Sequence, residues 1–495
     1  MQNLSYAGTA NSKGFDDFVD YTERMRKKYG DMFEIYFGPK RFIMLSKFEY
    51  MQNMFDYSLN SKYLRRIPYF SGLEELGIAG KGIALNHNVN VWKYNRHFIS
   101  RALLTPSFSK SSVIWTQNLV EEMMGFWEDG SDNDGCFETD VVEWCHRFTT
   151  DSITHFTTGK RIHAIEAYYN ELMAAQNRKP KKPSENDLRD ASKFFKSIKT
   201  LIVGIYFFII VPPWVRKYLP ILGNTSKNHL KNRDWLFGFV DEIIKQRREE
   251  IECTPRSEPL RFDMLTSMIT ANTDRDICEI KMVDEEHTQP MNDELIRGIL
   301  WETFVGGIDT TANMFSFVIY YLAYHPDVLK RLRVELDAFF KKMGDRRLDL
   351  ESLSDLVYTD AIIKESFRMF TPAPYTARNS TAEDIVADRV WPEGTQYIIN
   401  IHGVNHNEIY WDEPEKFDPD RYLNMKKSPP HIIFGGGRRV CPGRKLSFIE
   451  LKVMIALVYH KLDIELSNMK NPCKAKFILI RSFHDLNVRI KPRKF

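Results

Sequence analysis

The cysteine at position 441 lies in a segment whose composition suits a reactive or metal-binding thiolate. Three glycines at 435–437 and two arginines at 438–439 precede Cys441, and Pro442 follows it. Consecutive glycines adopt backbone conformations that other residues avoid, and they let the chain approach a flat ligand closely. With Pro442 in the first turn of a helix, Cys441 lies at a helix N-terminus, where the helix dipole and the arginines stabilise a thiolate. The alternative is a glycine-rich surface loop with a structural cysteine.

A second group of residues with chemical potential occupies a long apolar segment. Residues 306–311 have the sequence Gly-Gly-Ile-Asp-Thr-Thr. Glycines in a helix interior cost about 1 kcal/mol each relative to alanine, and they free space for a ligand beside the helix. Asp309 and Thr310 add an acid and a hydroxyl, which together can relay protons. The alternative is a kinked core helix in which the threonine hydroxyl bonds its own backbone.

Charged and aromatic residues stand out at three further places in the sequence. Glu365 and Arg368 are three residues apart on one helix face, and Trp92 and Arg96 are four apart on another. Arg378 follows two prolines at the start of a strand-like run. Each of these residues, taken alone, is also explained as a solvated surface group or a surface ion pair.

In combination, these segments resemble the sequence motifs of the cytochrome P450 family. The cysteine loop has the family residue at every fixed position, and the glycine–acid–threonine segment, the Glu365–Arg368 pair and the Trp92–Arg96 pair also match. The motifs occur in family order from Trp92 to Gly443, so the resemblance covers nearly the whole chain. The matched positions of the cysteine loop are Phe434, Gly437, Arg439, Cys441 and Gly443.

The resemblance implies a haem b cofactor with Cys441 as the axial ligand of the iron and Phe434 on the thiolate side. It makes Asp309 and Thr310 the residues that deliver protons to bound dioxygen, with haem and oxygen close to Gly306. Thiolate donation to haem iron favours O–O bond cleavage. Four residues become partners of the anionic haem propionates, which need charge-assisted donors. These are Trp92, Arg96, Arg378 and Arg439.

The same resemblance implies a buried triad that supports the cysteine loop and retains haem. Its members are Glu365, Arg368 and Arg421, and the last belongs to a segment similar to the family's Pro-x-Arg-Phe stretch. Tyr422 replaces the commoner phenylalanine there. The expected role of the triad is structural.

The expected activity is that of a monooxygenase, which inserts one atom of dioxygen into a lipophilic substrate. The electrons come from NADPH through a partner flavoprotein reductase, because the chain has no glycine-rich nucleotide fingerprint of its own. A basic surface is predicted to dock this acidic partner. Its residues are Lys93, Arg101, Arg444 and Lys445. Two alternatives are a haem-thiolate enzyme that rearranges or dehydrates peroxides and a non-catalytic haem protein, and the Asp309–Thr310 pair argues against both.

The substrate class is expected to be a sterol, fatty acid, terpenoid or xenobiotic. Candidate pocket residues flank the motifs, and each is equally well explained as a core residue. They are Phe304, Val305, Ala373, Tyr375, Ser482 and Phe483.

Hydrophobic periodicity predicts a mainly α-helical chain with small β-sheets, an α+β class. The resemblance implies one cytochrome P450 domain over residues 1–495, with haem between the long oxygen-binding helix and the cysteine loop. A hairpin is predicted across Gly38-Pro39, strand character over 375–403, and loops over 60–90, 177–190 and 256–289. Helices are predicted at 15–29, from about 90, and at 227–252, 293–322, 326–342, 354–369 and 443–462.

Charge and cysteine content exclude several other classes of protein. The net charge is +3 over 495 residues, which gives no support to a nucleic-acid partner. Six cysteines without a CxxC pair do not suit a disulfide scaffold or a zinc finger, and they favour a reducing compartment.

The N-terminus and one apolar segment bear on location. Residues 1–18 are polar, and the apolar segment 201–211 is too short to cross a bilayer. That segment is either a buried helix or a surface element that dips into a membrane or lines an apolar substrate entrance. The resemblance to microsomal members implies contact with a membrane, at the cytoplasmic face of the endoplasmic reticulum. Because no anchor helix is visible, a soluble cytoplasmic protein is the alternative.

Overall fold

The computed structural model describes residues 16–58, 60–66, 71–103, 105–178, 188–277, 289–424, 430–469 and 475–494. Helices dominate these residues, as the sequence predicts. The helices are α1 Asp16–Tyr29, α2 Ser71–Glu75, α3 Val89–Leu103, α4 Pro106–Gly130, α5 Val141–Thr158, α6 Ala164–Ala175, α7 Leu188–Ile210, α8 Pro213–Tyr218, α9 Pro220–Cys253, α10 Met264–Thr270, α11 Asp293–Tyr324, α12 Pro326–Met343, α13 Val357–Met369, α14 Ile401–Asn405 and α15 Arg444–Lys461. The strands are β1 Met32–Phe37, β2 Lys40–Leu45, β3 Phe137–Asp140, β4 Tyr375–Asn379, β5 Asp384–Val386, β6 Arg389–Trp391, β7 Gln396–Asn400, β8 Leu462–Leu466, β9 Ala475–Phe477, β10 Arg481–Phe483 and β11 Asn487–Pro492. The α+β class with small sheets is therefore confirmed.

The described residues group into two compact units. Unit 1 takes its residues from 1–68, 135–142 and 313–495, and unit 2 takes its residues from 69–134 and 143–312. Every strand named above belongs to unit 1, whereas the described part of unit 2 is helical. Helix α11 contributes its first 20 residues, 293–312, to unit 2 and its remainder to unit 1.

Unit 1 is organised around a four-stranded sheet in the order β1-β2-β7-β4. The predicted hairpin is confirmed, since β1 and β2 pair antiparallel up to Phe37 opposite Lys40, with Gly38-Pro39 as the turn. Strand β2 pairs parallel with β7, which starts more than 350 residues later in the chain. Buried apolar side chains around Ile43, Tyr63 and Tyr397 form a core against this sheet.

Local sequence signals explain where several helices begin and end. Pro106 occupies the first turn of α4, and the Thr105 hydroxyl accepts the Phe108 N–H as an N-cap. Helix α12 also begins at a proline and ends at Gly344, which has a φ of +58°. The predicted helices at 15–29, 293–322 and 326–342 are confirmed within two residues at each end.

Four expectations about secondary structure were wrong in detail. The charged helix predicted at 227–252 is α9, which begins at Pro220 because a proline fits the first turn. The predicted loops 60–90 and 256–289 contain the short helices α2 and α10. The strand character predicted up to Gly403 ends at Asn400, whose side chain accepts the Gly403 N–H and caps α14. Most of the predicted loop 177–190 lies outside the described residues.

The position of Pro442 also differs from the prediction. Helix α15 begins at Arg444, with Gly443 as its N-cap, so Pro442 precedes the helix. The Cys441 N–H bonds the Phe434 carbonyl at 2.9 Å and closes the loop before the helix starts.

The apolar segment 201–211 is helical up to Ile210, where α7 ends, and its contact with a membrane or a substrate entrance stays a prediction. Leu201, Ile205 and Phe208 are buried, whereas Val203 and Ile210 are exposed. Among the described residues, no helix is both long and apolar enough to span a bilayer.

Candidate functional site

The cysteine loop of unit 1 depends on its glycines. Gly435 and Gly437 have φ values of +73° and +61°, a region that residues with a side chain rarely adopt. A Cβ on Gly436 would lie 2.6 Å from the Phe55 ring, and a Cβ on Gly437 would lie 2.6 Å from the Asp56 carbonyl oxygen. The loop therefore packs directly on the chain at 55–56, which fixes the position of Cys441.

Cys441 is exposed, three residues before helix α15. A Cβ on Gly443 would lie 3.8 Å from its Sγ, so no side chain crowds the sulfur from that position. The Phe434 ring packs edge-on against Phe367, with the centroids 5.0 Å apart, and the Arg444 guanidinium lies 6.0 Å from its centre. A helix N-terminus and nearby cations favour the thiolate form of a cysteine.

Arg378 on β4 is a buried cation with unsatisfied hydrogen-bonding capacity. Its side chain is 1% exposed, and its Nη1 donates to the Ala377 carbonyl at 2.9 Å. Its Nε has no acceptor among the described residues. Burial and the neighbouring Arg66 hold the pKa of the Arg378 guanidinium well below its usual range. A buried cation beside another cation requires an anion to stabilise it.

The segment 64–66 links Arg378 to the cysteine loop. Arg439 is buried, and its Nε donates to the Leu64 carbonyl at 2.8 Å. Arg66 donates to the Thr376 hydroxyl and, at 3.2 Å, to the Ala377 carbonyl, next to Arg378. Arg66 and Arg378 thus donate to the same carbonyl, that of Ala377, and Arg439 binds the segment that carries Arg66.

The Glu365–Arg368–Arg421 network lies in the interior of unit 1. Glu365 and Arg368 are 0% exposed, and two N–H···O contacts of 2.8 Å join them. Arg421 donates its Nε to Glu365 at 3.0 Å, and the Asp418 N–H adds a fourth hydrogen bond at 2.9 Å. Arg368 also donates to three carbonyl groups, at Asn405, Pro414 and Lys416.

The two glycines of α11 lie in different environments within unit 2. A Cβ on Gly306 would meet no described atom within 4 Å, so open space adjoins the helix there. A Cβ on Gly307 would lie 2.7 Å from Ile153, so this glycine permits close packing of α5 on α11. The Thr310 hydroxyl donates to the Gly306 carbonyl at 2.7 Å, which places it beside the open space. The sequence also allowed the interpretation that the threonine hydroxyl bonds its own helix backbone, and this hydrogen bond is present.

Several charged groups of unit 2 affect the pKa of the Asp309 carboxyl. Burial raises the pKa of its carboxyl, His146 and Lys199 act in the opposite direction, and Glu143 adds to the rise. The His146 Nε2 lies 3.5 Å from the Asp309 Oδ1. A carboxyl with a raised pKa holds a proton more readily than an ordinary aspartic acid does.

Trp92 and Arg96 lie on helix α3 of unit 2. Trp92 is buried and Arg96 is partly buried, and the four-residue spacing places them on one helix face. Their role toward haem propionates stays a prediction, as does that of the arginines of unit 1.

Two of the candidate substrate residues have packing partners within their own unit. Phe304 is fully buried and meets Phe194 edge-on at 5.4 Å. Phe483 is buried against Phe317, with the ring centroids 4.3 Å apart.

The remaining candidates are partly exposed. The Tyr375 hydroxyl lies 2.6 Å from the Thr22 hydroxyl, and Ser482 pairs with Lys476 in the β9–β10 hairpin. Val305 and Ala373 are small apolar residues with partial exposure.

Some residues near the site were not expected from the sequence. Arg66 and His146 belong to no motif, so only the structure places them beside Arg378 and Asp309. The Thr149 hydroxyl donates to the Ile308 carbonyl at 2.8 Å, inside the motif of α11. Glu302 is the exception, because a carboxylate in the apolar sequence Ile-Leu-Trp-Glu-Thr-Phe is itself a signal.

Comparison with known proteins gives the family. The protein-family model for cytochrome P450 matches residues 2–484. The chain is 30% identical over 422 residues to cytochrome P450 4F12 of Homo sapiens, a match that covers 83% of this chain and 74% of that protein. It is 31% identical over 264 residues to cytochrome P450 4F5 of Rattus norvegicus, covering 52% of this chain and 49% of that protein. The chain thus spans about half the length of this second relative.

Two solved structures have the same fold. One is a cytochrome P450 (CYP102L1), with a TM-score of 0.75, 19% identity, and coverage of 96% of this chain and 94% of that one. The other is the cytochrome P450DA heme domain, with a TM-score of 0.75, 17% identity, and coverage of 100% and 98%. The chain belongs to the cytochrome P450 family.

The residues present fit haem b, the cofactor of this family. Arg378 offers a buried N–H without an acceptor among the described residues, as an anionic propionate requires. The glycine-rich loop presents an exposed Cys441, and Gly306 adjoins open space. All three observations match the charge, the thiolate ligation and the flat shape of the group.

Proposed function

We propose that this chain is a haem-thiolate monooxygenase, which inserts one atom of dioxygen into a lipophilic substrate. NADPH supplies the electrons through a flavoprotein reductase. The observation that carries the proposal is the Asp309–Thr310 pair, whose hydroxyl lies beside the open space at Gly306. An enzyme that activates dioxygen needs such a source of protons, whereas peroxide rearrangement and haem carriage do not.

In this proposal Cys441 would hold the haem iron through its thiolate, with Phe434 and Gly443 beside it in the loop. Arg378 and Arg439 of unit 1, and Trp92 and Arg96 of unit 2, bind the propionates. When bound, haem supplies the iron that activates dioxygen, and thiolate donation favours O–O cleavage. The triad around Glu365 joins α13 to the chain at 405–421, and its proposed contribution is to haem retention through support of the cysteine loop.

The proton path begins at Asp309. Burial raises the pKa of its carboxyl, and the His146 Nε2, 3.5 Å from Oδ1, is close enough to resupply a proton after a small movement. Thr310 holds its hydroxyl against the Gly306 carbonyl and can pass the proton into the open space. We infer a lipophilic substrate because the two candidate pocket residues that precede Gly306, Phe304 and Val305, are apolar.

The test compares two threonines of the same helix. Thr310→Ala and Thr303→Ala each remove a hydroxyl that donates to the carbonyl four residues earlier, at 2.7 Å in both cases. The haem-loaded proteins are incubated with reductase, NADPH and a panel of lauric acid, cholesterol and limonene. We expect substrate-dependent product from wild type and Thr303→Ala. Thr310→Ala should consume NADPH but release mainly hydrogen peroxide.

Other outcomes of this assay support the two rival functions. Conversion of a lipid hydroperoxide without NADPH or reductase would identify a peroxide isomerase or dehydratase. The absence of both reactions from haem-loaded protein would favour the non-catalytic haem protein.

We also propose that the surface at 203–221 contacts a membrane, at the cytoplasmic face of the endoplasmic reticulum. Trp214, Tyr218 and Ile221 are 68%, 71% and 81% exposed, and Lys217 lies among them. Exposed apolar side chains mixed with cations suit a lipid surface.

The test of this contact is a flotation assay, in which we expect the protein to float with phosphatidylcholine–phosphatidylserine vesicles. The double change Trp214→Ser and Ile221→Ser should abolish flotation, and Ile114→Ser, at another exposed apolar residue, should not. Equal flotation of both variants would contradict this contact.

The predicted reductase surface is tested in a similar way. Arg444 and Lys445 are exposed at the start of α15, Lys93 is partly exposed, and the side chain of Arg101 lies outside the described residues. Lys445→Glu should raise the apparent KM for the reductase, and salt should diminish the difference. Lys491→Glu, at an exposed lysine of β11, is the matched control and should leave that KM unchanged. Equal effects of both changes would contradict a docking role.

A further inference from the structure

One face of helix α5 contacts residues 307–309 of helix α11, inside the glycine–acid–threonine motif and within unit 2. The contacting residues of α5 are His146, Thr149 and Ile153, which are three and four residues apart and therefore share that face. In this order they meet positions 309, 308 and 307 of α11. Helix α5 thus touches three consecutive residues of the motif.

The contact at position 308 is a hydrogen bond between the two helices. The Thr149 hydroxyl donates to the Ile308 carbonyl at 2.8 Å, and both residues are buried. The same hydroxyl lies 3.1 Å from the carbonyl oxygens of Cys145 and His146 in its own helix. A hydroxyl has one proton to donate, and the shortest of its three contacts here is the one that reaches α11.

The carbonyl that Thr149 binds belongs to the peptide group between Ile308 and Asp309. A peptide group is planar and rigid, so a hydrogen bond at its oxygen restrains rotation of the whole group, including the nitrogen of Asp309. The carboxyl of Asp309 meets the same helix, since its Oδ1 lies 3.5 Å from the His146 Nε2. Helix α5 therefore contacts Asp309 at its side chain and holds the peptide group before it.

The second glycine of the motif permits this arrangement. A Cβ on Gly307 would lie 2.7 Å from the Ile153 Cγ1 and 2.8 Å from its Cδ1. The Thr149 side chain is short, so its hydroxyl reaches the α11 backbone only where the two helices lie close together. Gly306 adjoins the open space, whereas Gly307 allows the contact with α5.

We propose that Thr149 is a positioning residue for proton delivery by Asp309 and Thr310. By holding the peptide group before Asp309, it keeps the carboxyl and the Thr310 hydroxyl in a fixed relation to the open space at Gly306. Without this hydrogen bond the peptide group can turn, and protons are delivered less reliably. This inference rests on the proposed function, which makes Asp309 and Thr310 the proton donors.

Poorer proton delivery changes the products formed from dioxygen. Insertion of one oxygen atom into a C–H bond consumes one dioxygen, two electrons from NADPH and two protons, and it yields the hydroxylated substrate and one water. The uncoupled reaction consumes the same dioxygen, electrons and protons but yields hydrogen peroxide. The share of NADPH electrons that is recovered as peroxide therefore measures how well the protons are delivered.

The chain offers a matched control in the same helix. Thr154 is also buried, and among the described residues its hydroxyl bonds only carbonyls of α5, those of Thr150 at 2.8 Å and Asp151 at 3.2 Å. Thr149→Val and Thr154→Val each replace a buried hydroxyl by a methyl group of similar size. Only the first change removes a hydrogen bond to α11. Thr149→Ser keeps the hydroxyl and is the rescue variant.

The first experiment is hydrogen exchange of the haem-loaded protein. In Thr149→Val, the amides of 306–312 should exchange at least about fivefold faster, as expected for the loss of one buried hydrogen bond between neutral groups. Thr154→Val should change exchange in this segment less than about twofold, and Thr149→Ser should resemble wild type. Unchanged exchange at 306–312 in Thr149→Val would overturn the anchor.

The second experiment measures product, peroxide and NADPH consumption with reductase and the panel of lauric acid, cholesterol and limonene. Thr149→Val should raise the share of electrons recovered as peroxide at least about threefold, and Thr154→Val and Thr149→Ser should leave it near the wild-type value. A purely structural role would affect both valine variants equally. If exchange at 306–312 rises but the peroxide share does not, the positioning role is wrong.

Two further outcomes are distinguishable. If Thr149→Val does not fold, Thr149→Cys retains a weaker donor, and smaller changes in the same directions are expected; their absence would contradict the proposal. If haem-loaded wild type consumes no NADPH, the proposed function fails and the positioning role fails with it. Hydrogen exchange still decides in that case whether Thr149 anchors the peptide group.

Discussion

Replacement of Glu365 by glutamine should strongly destabilise the fold. Glu365 accepts four hydrogen bonds, two of them from Arg368, and both side chains are 0% exposed. The change is isosteric, but it removes the charge that compensates the buried Arg368 guanidinium. Loss of one partner of a buried ion pair costs about 3–5 kcal/mol. At least one hydrogen bond to a charged group is also lost, since the new NH2 group faces a donor, and such a bond contributes about 1.5–3 kcal/mol on its own.

Urea denaturation, followed by far-UV circular dichroism, measures this change. We expect the free energy of unfolding of Glu365→Gln to fall by about 3–5 kcal/mol with an unchanged m value. The matched control is Glu413→Gln, because Glu413 pairs with Lys416 at 3.5 Å with side chains 75% and 56% exposed. That change should cost less than about 1 kcal/mol. An equal effect of both substitutions would refute the reasoning that burial makes this network essential.

Three further predictions follow from the same structure. Burial raises the pKa of Asp309, so the stability that its neutral form contributes is lost as the pH rises through that pKa. Asp309→Asn should therefore melt above wild type at about pH 8 and equal it at about pH 4 in scanning fluorimetry. Burial lowers the pKa of His155 from 6.5 to about 4, so the fold loses stability as the pH falls through this range. His155→Phe keeps the stack on Trp115 and should flatten that loss in urea titrations. Gly437→Ala combines a φ of +61° with a clash at Asp56 and should lower the unfolding free energy by at least about 1 kcal/mol.

The sequence predicted the parts of the fold that depend on local signals. The hairpin across Gly38-Pro39 and the helix from Pro326 follow from turn residues and a helix-starting proline, and both are present. The parallel pairing of β2 with β7 was not predicted, because it joins segments more than 350 residues apart. Nothing in the local composition of Ile43 specifies Tyr397 as its neighbour.

The candidate site likewise contains residues that local sequence signals identify and residues that only the tertiary structure identifies. Cys441, Asp309 and Glu365 are recognisable because they occur in fixed spacings, and their roles in chemistry remain proposals. Arg66 and His146 contact the site only through the tertiary structure, so no spacing points to them. The three glycines at 435–437 predicted that another part of the molecule lies very close to this loop. The structure shows that this neighbour is the chain at 55–56, which the sequence did not identify.

The central claim is that Cys441 binds haem iron as a thiolate, and the reduced carbon-monoxide difference spectrum tests it most directly. The account predicts the long-wavelength band of thiolate ligation in the wild-type protein and its loss in Cys441→Ser. Exposed Cys253 lies at the end of α9, and Cys253→Ser is the control that should keep the band. A folded, haem-loaded wild-type protein without the band, or a Cys441→Ser variant that retains it, would contradict the assignment.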